Sequence, residues 1–112
     1  MELIDILLPT YNGAKYVEEL IQSLFLQVYQ NWRLIIRDDC SSDQTIEIIQ
    51  RFAREYPARF IIIPNEGKHL GIIGSFAHLL EVSKEKYTMF CDQDDIWLPK
   101  KIKLCYDRIK QM

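Results

Sequence analysis

Apolar residues recur along this chain in two alternating rhythms. Short runs without a helical period, Leu3 to Leu8 (interrupted by Asp5), Trp32 to Arg37, Phe60 to Ile63 and Tyr87 to Cys91, read as mostly buried strands. Between and after them, apolar positions return at three-and-four spacing. The sets are Val17, Leu20, Ile21, Leu24, Phe25 and Val28; then Ile46, Ile49, Phe52, Ala53 and Tyr56; then Ile73, Phe76, Ala77 and Leu80; and last Ile102, Cys105, Tyr106 and Ile109. Each predicts an amphipathic helix, the first of about four turns. Pro9 closes the first strand, Pro57 halts the second helix and Pro99 opens the fourth.

Regular alternation of strand and helix calls for an α/β fold, a three-layer αβα sandwich on a mainly parallel sheet with right-handed crossovers. Strand-to-helix loops then share one rim, where ligands bind outside the carboxyl ends of the strands. The polar chemistry divides accordingly. Pro9 to Asn12, Asp38 to Asp43, Asn65 to Gly71 and Asp92 to Asp95 all fall on that rim. The opposite rim receives only Gln30-Asn31, Pro57-Ala58-Arg59 and Lys84-Glu85-Lys86.

The densest chemistry is Asp92-Gln93-Asp94-Asp95, which follows directly on the fourth strand. Crowded carboxylates repel unless a cation offsets them, and Mg²⁺ or Mn²⁺ favours one or two carboxylates plus phosphate oxygens over a full protein cage. In an extended segment Asp92 and Asp94 point to one side and Gln93 away. The competing reading has Asp94 or Asp95 capping the fourth helix. A donor carrying a diphosphate fits a metal at Asp94, with Tyr11 covering a base and a carboxylate accepting from ribose hydroxyls or a pyrimidine imide. Of the adjacent pair Asp38-Asp39, one is expected to face the ligand and the other the amides of Ser41-Ser42-Asp43, which can equally cap the second helix. Lys68 is the phosphate cation available in the third loop. Trp97 and Leu98 read as core.

Length and charge narrow the classes. A chain of 112 residues fits one domain, and 14 Lys and Arg against 16 Asp and Glu argue against a nucleic-acid binder. No segment resembles a signal peptide or reaches the length of a membrane span, so a soluble, cytoplasmic protein is expected. Cys40, Cys91 and Cys105 are odd in number and lack metal spacing, as buried thiols in a reducing compartment would be. His69 and His78 have no partner at ligand or triad spacing and read as structural or surface residues. Phosphoryl transfer is the competing enzyme class, but a receiver domain or a haloacid-dehalogenase-type phosphatase places its acids after the first strand, where this chain has Pro9-Thr10. No G-x-G-x-x-G supports dinucleotide binding. A binding module without turnover is the non-enzyme alternative.

Four segments in order, Ile6-Leu7-Leu8-Pro9-Thr10-Tyr11-Asn12, Asp38-Asp39-Cys40-Ser41-Ser42-Asp43-Gln44-Thr45, Asn65 to Gly71, and Asp92-Gln93-Asp94-Asp95-Ile96-Trp97 with Pro99, resemble the signature of the family 2 glycosyltransferases of the GT-A fold. The resemblance implies inverting transfer of a sugar from a nucleotide-diphosphate donor to an acceptor hydroxyl, assisted by Mn²⁺ or Mg²⁺. Carried over by position, Pro9, Tyr11 and Asp39 line the base pocket, Asp92 contacts the nucleoside and Asp94 binds the metal. Thr10, Asn12, Lys68 and Gln93 join the donor-binding set. Cys40 stands where many relatives have glycine, an exchange expected to change little. The wording from Cys91 to Trp97, with Gly71-Ile72-Ile73-Gly74-Ser75-Phe76 before it, is similar to the rhamnosyltransferase-like branch that builds bacterial surface polysaccharides. That branch implies a dTDP-rhamnose or UDP-sugar donor, a saccharide or lipid-linked saccharide acceptor and a place at the inner face of the cell membrane. No general base is identified in these residues. The resemblance implies an acceptor-binding half and a base further downstream, so the chain is expected to be a donor-binding fragment, with uncovered apolar surface that favours self-association.

Overall fold

The computed structural model describes residues 2–111. The apolar runs form β1 (Ile4–Thr10), β2 (Trp32–Asp38), β3 (Phe60–Ile63) and β4 (Tyr87–Phe90), joined in the order β3-β2-β1-β4 with every pairing parallel. Helices α1 (Val17–Phe25), α2 (Thr45–Glu55), α3 (Gly71–Val82) and α4 (Lys101–Lys110) follow the strands in turn. This is the expected sandwich. Pro9 does not end β1, which runs on to Thr10; β4 pairs with β1 only as far as Leu7, so the missing proline N–H breaks no ladder on that side.

Strand alternation sorts the core into two layers. Ile4, Ile6, Leu8, Leu34 and Ile36 face α1, α2 and α4 in the larger cluster, together with Trp32, Phe60, Trp97, Ile102 and Tyr106. Leu7 and Ile35 face the other way, onto Leu79 of α3. Asp5 interrupts the first run and is fully buried on this second side. Its carboxylate accepts from Arg33 Nε at 3.2 Å and from Ser83 Oγ at 2.9 Å, tying β1 to β2 and to the end of α3.

Several expected core positions lie elsewhere. Helix α1 stops at Phe25, and Val28 is exposed, because Gln27 takes over beyond the helix. Its buried carboxamide donates to the carbonyl of Leu98 at 2.7 Å and accepts from the amide of Ile102 at 3.1 Å, which joins the end of α1 to the start of α4. Leu98 thus contributes a carbonyl while its side chain is exposed. On α3 the sheet-facing residues are Ser75 and Leu79, whereas Ile73, Ala77 and Leu80 are exposed and Phe76 is half-buried against Phe90. A serine in the buried stripe shifted the apparent apolar face by one position. Of the three thiols only Cys91 is buried, and burial raises its pKa. Cys40 is exposed and has φ of 66°, a left-handed conformation that favours glycine, so its side chain is strained where little change was expected.

Candidate functional site

The side chains of β2 alternate through its end, which separates the two acids as parity demands. Asp38 continues the side of Leu34 and Ile36; Asp39 continues the side of Ile35 and Arg37. Asp38 accepts from Thr10 Oγ1 at 2.7 Å, from the Ser41 amide at 2.8 Å and from Ser41 Oγ at 2.6 Å. It is therefore the acid that holds its own loop. The first two loops are stapled further, with the Asn12 amide donating to Ser41 Oγ and the Ser42 amide to Asn12 Oδ1, each at 2.8 Å. Asp43 does the work of a cap just outside α2, accepting from the Thr45 amide at 3.0 Å and from Thr45 Oγ1, and its other oxygen accepts from Ala14 at 3.1 Å. The bonds from Thr45 hold its carboxyl below the ordinary carboxylate range.

Asp39 sits at the centre of a buried node. Oδ1 accepts from Arg37 Nη1 and from the Leu70 amide, both at 2.7 Å. Oδ2 accepts from the Gly71 amide at 3.0 Å and lies 2.8 Å from His69 Nδ1. The Arg37 and Asp39 side chains are only 2% and 4% exposed. Burial by itself would raise the Asp39 pKa, but the Leu70, Arg37 and Gly71 hydrogen bonds and the nearby His69 hold it below the usual value. Arg37 also reaches Ser75 Oγ at 3.0 Å and the Lys68 carbonyl at 2.7 Å. One ion pair thus fixes the third loop and the first amides of α3 against the end of β2. Gly71, at φ of 74°, allows the chain to present those amides.

The acidic stretch is a turn, not an extended segment: the Asp95 amide donates to the Asp92 carbonyl at 3.0 Å. Asp95 turns inward to accept from the Asp92 amide at 3.3 Å, and neither Asp94 nor Asp95 caps α4, which starts at Lys101. The turn aims Gln93 at the first loop, where its carboxamide accepts from the Tyr11 amide at 2.8 Å and donates to the Tyr11 carbonyl at 2.9 Å. Gly13 makes room for it, since a Cβ there would lie 2.3 Å from Gln93 Oε1. Asp92 and Asp94 remain exposed beside this clamp.

These groups enclose a cleft of about 520 Å³ over the carboxyl ends of β1 and β2, within the ordinary size of small-molecule sites. Of the residues expected to bind, Pro9, Thr10, Tyr11, Asp39, Asp92, Gln93 and Asp94 all line it. Asn12 and Lys68 do not; Asn12 holds the second loop, and Lys68 supplies a carbonyl to Arg37. His69, Gly71, Ile72 and Ser75 complete the wall. His69, expected as a structural or surface residue, has partners remote in sequence, Asp39 at Nδ1 and the Tyr11 ring edge-on at 5.2 Å, and its place on the cleft wall has no signal in the sequence. Arg37 was overlooked, although a cation ending an apolar strand two residues before an acid was a usable signal. Among the described residues no three His, Cys, Asp or Glu side chains close into a metal cage. Two exposed carboxylates on a cleft wall instead fit a hard cation that takes its remaining oxygens from a diphosphate.

The structure is thus an α/β domain with a parallel sheet, an acidic turn at the end of its fourth strand and a cleft over its carboxyl rim. The chain belongs to glycosyl transferase family 2, whose profile matches residues 5–112. It is 37% identical over 103 residues to the dTDP-rhamnosyl transferase RfbG of Shigella flexneri, covering 89% of this chain and 36% of that protein. It is 31% identical over 102 residues to the UDP-Glc:alpha-D-GlcNAc-diphosphoundecaprenol beta-1,3-glucosyltransferase WfgD of Escherichia coli, covering 91% of this chain and 39% of that protein. Among solved structures, S. aureus TarS 1-349 in complex with UDP-GlcNAc superposes with a TM-score of 0.85 at 26% identity, over 99% of this chain and 32% of that one. The mannosyltransferase PcManGT from Pyrobaculum calidifontis, solved with GDP-Man and Mn²⁺, shares the fold with a TM-score of 0.77 at 23% identity, over 90% of this chain and 30% of that one. The chain spans between a third and two fifths of the length of these curated relatives.

Proposed function

We propose that these residues form the donor-binding part of an inverting glycosyltransferase that moves a sugar from a nucleoside-diphosphate donor to an acceptor hydroxyl in the synthesis of a bacterial surface polysaccharide. The observation that carries this reading is the convergence of Tyr11, Asp39, Asp92 and Asp94, from three separate strand ends, on one cleft. Tyr11 and His69 flank the base side. Asp94, with Asp92 beside it, would hold Mn²⁺ or Mg²⁺. A cation bound there supplies positive charge to the departing nucleoside diphosphate.

The chain's own residues do the positioning. Gln93 fastens the acidic turn to the Tyr11 backbone, so the base side and the phosphate side are set at a fixed separation before donor arrives. The Arg37–Asp39 node fixes the third wall in the same way. The similarity to RfbG supports a dTDP-rhamnose donor, and that to the TarS complex supports a UDP-sugar. WfgD, whose name specifies a lipid-linked acceptor, supports a saccharide or lipid-linked saccharide acceptor. We assign no general base in this chain; Asp107, on α4, is paired with Lys103 at 2.7 Å.

Inverting transfer needs a base to take the acceptor proton, worth typically about 10² to 10⁴ in rate, and contacts that hold the hydroxyl in line. The 112 residues are therefore expected to bind donor without efficient transfer. Release of nucleoside diphosphate from a panel of nucleotide sugars, with and without an oligosaccharide primer, tests this. Slow, primer-independent hydrolysis at most is expected, and robust acceptor-dependent turnover would overturn the assignment to donor binding alone.

A further inference from the structure

The segment that opens and forms α4 is densely basic: five of the 14 Lys and Arg fall between Lys100 and Lys110, with Asp107 the one acid among them. Two of the five have carboxylate partners, Lys103 with Asp107 at 2.7 Å and Lys110 with Glu2 at 3.2 Å. Lys101 lies over the Trp97 ring at 4.6 Å, and Lys100 and Arg108, both exposed, form no salt bridge among the described residues. Large apolar side chains stand beside these cations. Leu26, Val28, Leu98 and Leu104 are between 61% and 75% exposed. The backbone brings their two segments together, since the Val28 amide donates to the Pro99 carbonyl at 2.8 Å and Gln27 donates to the Leu98 carbonyl at 2.7 Å. Leu104 lies one turn beyond Lys100, its amide donating to the Lys100 carbonyl at 2.9 Å, and residues three and four apart share a helix face, so Lys100, Lys101 and Arg108 flank it. The patch lies away from the cleft. The Ile4 amide donates to Asn31, three residues after Val28, and Lys110 reaches Glu2, so the end of α1 and the last turn of α4 sit at the amino ends of the strands.

We propose that this surface docks the domain on a bilayer containing anionic lipid, with Val28, Leu98 and Leu104 entering the headgroup region and Lys100, Lys101 and Arg108 meeting lipid phosphates. The charge pattern selects that occupant. The whole chain carries a net charge of −2, so it has no general attraction to an anionic surface, and only a local patch can turn the domain toward one. A purely polar polyanion would leave the leucines in water. An apolar protein groove would bury cations that bring no counter-charge with them. A bilayer interface accepts both, because long basic side chains keep their heads among phosphates while neighbouring apolar side chains sit deeper. Since the patch occupies the rim opposite the cleft, docking leaves the cleft open to solution. The proposal does not rest on the donor-binding reading above.

Co-sedimentation with vesicles tests it, comparing phosphatidylglycerol and phosphatidylcholine in equal parts with phosphatidylcholine alone. Wild type is expected to bind the anionic vesicles at least about tenfold more tightly than the zwitterionic ones, and to lose most of that preference in about 0.5 M NaCl. Each cation near the surface contributes about fivefold, so Lys100→Glu with Arg108→Glu should weaken anionic binding by about 25-fold or more. Leu98→Ser with Leu104→Ser should weaken it by about tenfold through lost insertion. Arg51→Glu with Arg54→Glu, the same charge change on the exposed side of α2, should stay within about threefold of wild type. Equal binding to both vesicle types would overturn the proposal and leave an acidic protein surface as the partner the patch fits. Wild-type binding in the Lys100/Arg108 or the Leu98/Leu104 variant, or an equal loss in the α2 variant, would overturn it as well. The affinity of the same proteins for UDP with Mn²⁺ reports the donor site separately: unchanged nucleotide binding beside absent vesicle binding would sink the docking surface and leave the donor site standing.

Discussion

Replacing Asp39 by asparagine is the perturbation the structure weighs most heavily. The substitution keeps the shape, removes the charge and places an NH₂ group where two donors now converge. Arg37, 1% exposed, would keep Ser75 Oγ and the Lys68 carbonyl but lose its counter-charge in a site that water does not reach. Breaking a buried pair from one side costs about 3 to 5 kcal/mol, and asparagine recovers part of that through its one remaining acceptor, so we expect about 3 kcal/mol. A domain of this size has roughly 5 to 15 kcal/mol in total, so the variant should fold. Urea unfolding followed by the fluorescence of Trp32 and Trp97, both buried, reads the loss as a fall in midpoint at unchanged slope. The pH dependence has a definite sign. Because the folded pKa of Asp39 is depressed, its stabilisation is fully present above the unfolded value of about 3.9 and lost as pH falls through the folded value. The gap between wild type and Asp39→Asn should therefore be constant from about pH 8 to 5 and close only in stronger acid. In an Arg37→Met background the same substitution should cost much less. A loss below about 1 kcal/mol in the wild-type background, or equal losses in both, would refute the node as a charge-paired fastening.

Other expectations are independent of that node. Cys40→Gly should raise stability by about 0.5 to 1 kcal/mol, since it relieves a left-handed cysteine while adding some unfolded-state entropy; an unchanged or lower urea midpoint would contradict this. Gln93→Ala should weaken nucleoside-diphosphate binding by about tenfold through lost positioning, with urea stability changed by less than about 1 kcal/mol; equal affinity would show that the clamp positions nothing. Gly13→Ala should give the same binding defect by pushing the Gln93 carboxamide away, and wild-type affinity in that variant would count against the close approach.

Much of this could be read from residues. The two periodicities located every strand and helix, because short, fully apolar strands and amphipathic helices leave distinct spacings. Seven of the nine expected ligand residues reached the cleft, for the topological reason that all strand-to-helix loops share a rim. What failed was local or long-range polar geometry. Parity along β2 would have assigned Asp38 to the loop and Asp39 to the cleft, but nothing in sequence announces that Leu70, Gly71 and His69 fill the oxygens of Asp39. Gln93 was expected to turn away because the stretch was read as extended, whereas a turn reverses its direction. Ser75 hid the buried face of α3 for a related reason: its role is to meet Arg37, a contact 38 residues away that periodicity cannot register.

The central claim is that this cleft binds a nucleoside diphosphate through a cation held at Asp94. Titrating UDP into wild type, Asp94→Ala and Asp107→Ala, each with and without Mn²⁺, measures it directly. Wild type and Asp107→Ala are predicted to gain affinity of about tenfold or more from Mn²⁺, and Asp94→Ala to gain none while keeping the weaker, metal-independent binding. Equal affinity of wild type with and without Mn²⁺, or an undiminished Mn²⁺ effect in Asp94→Ala, would contradict the account.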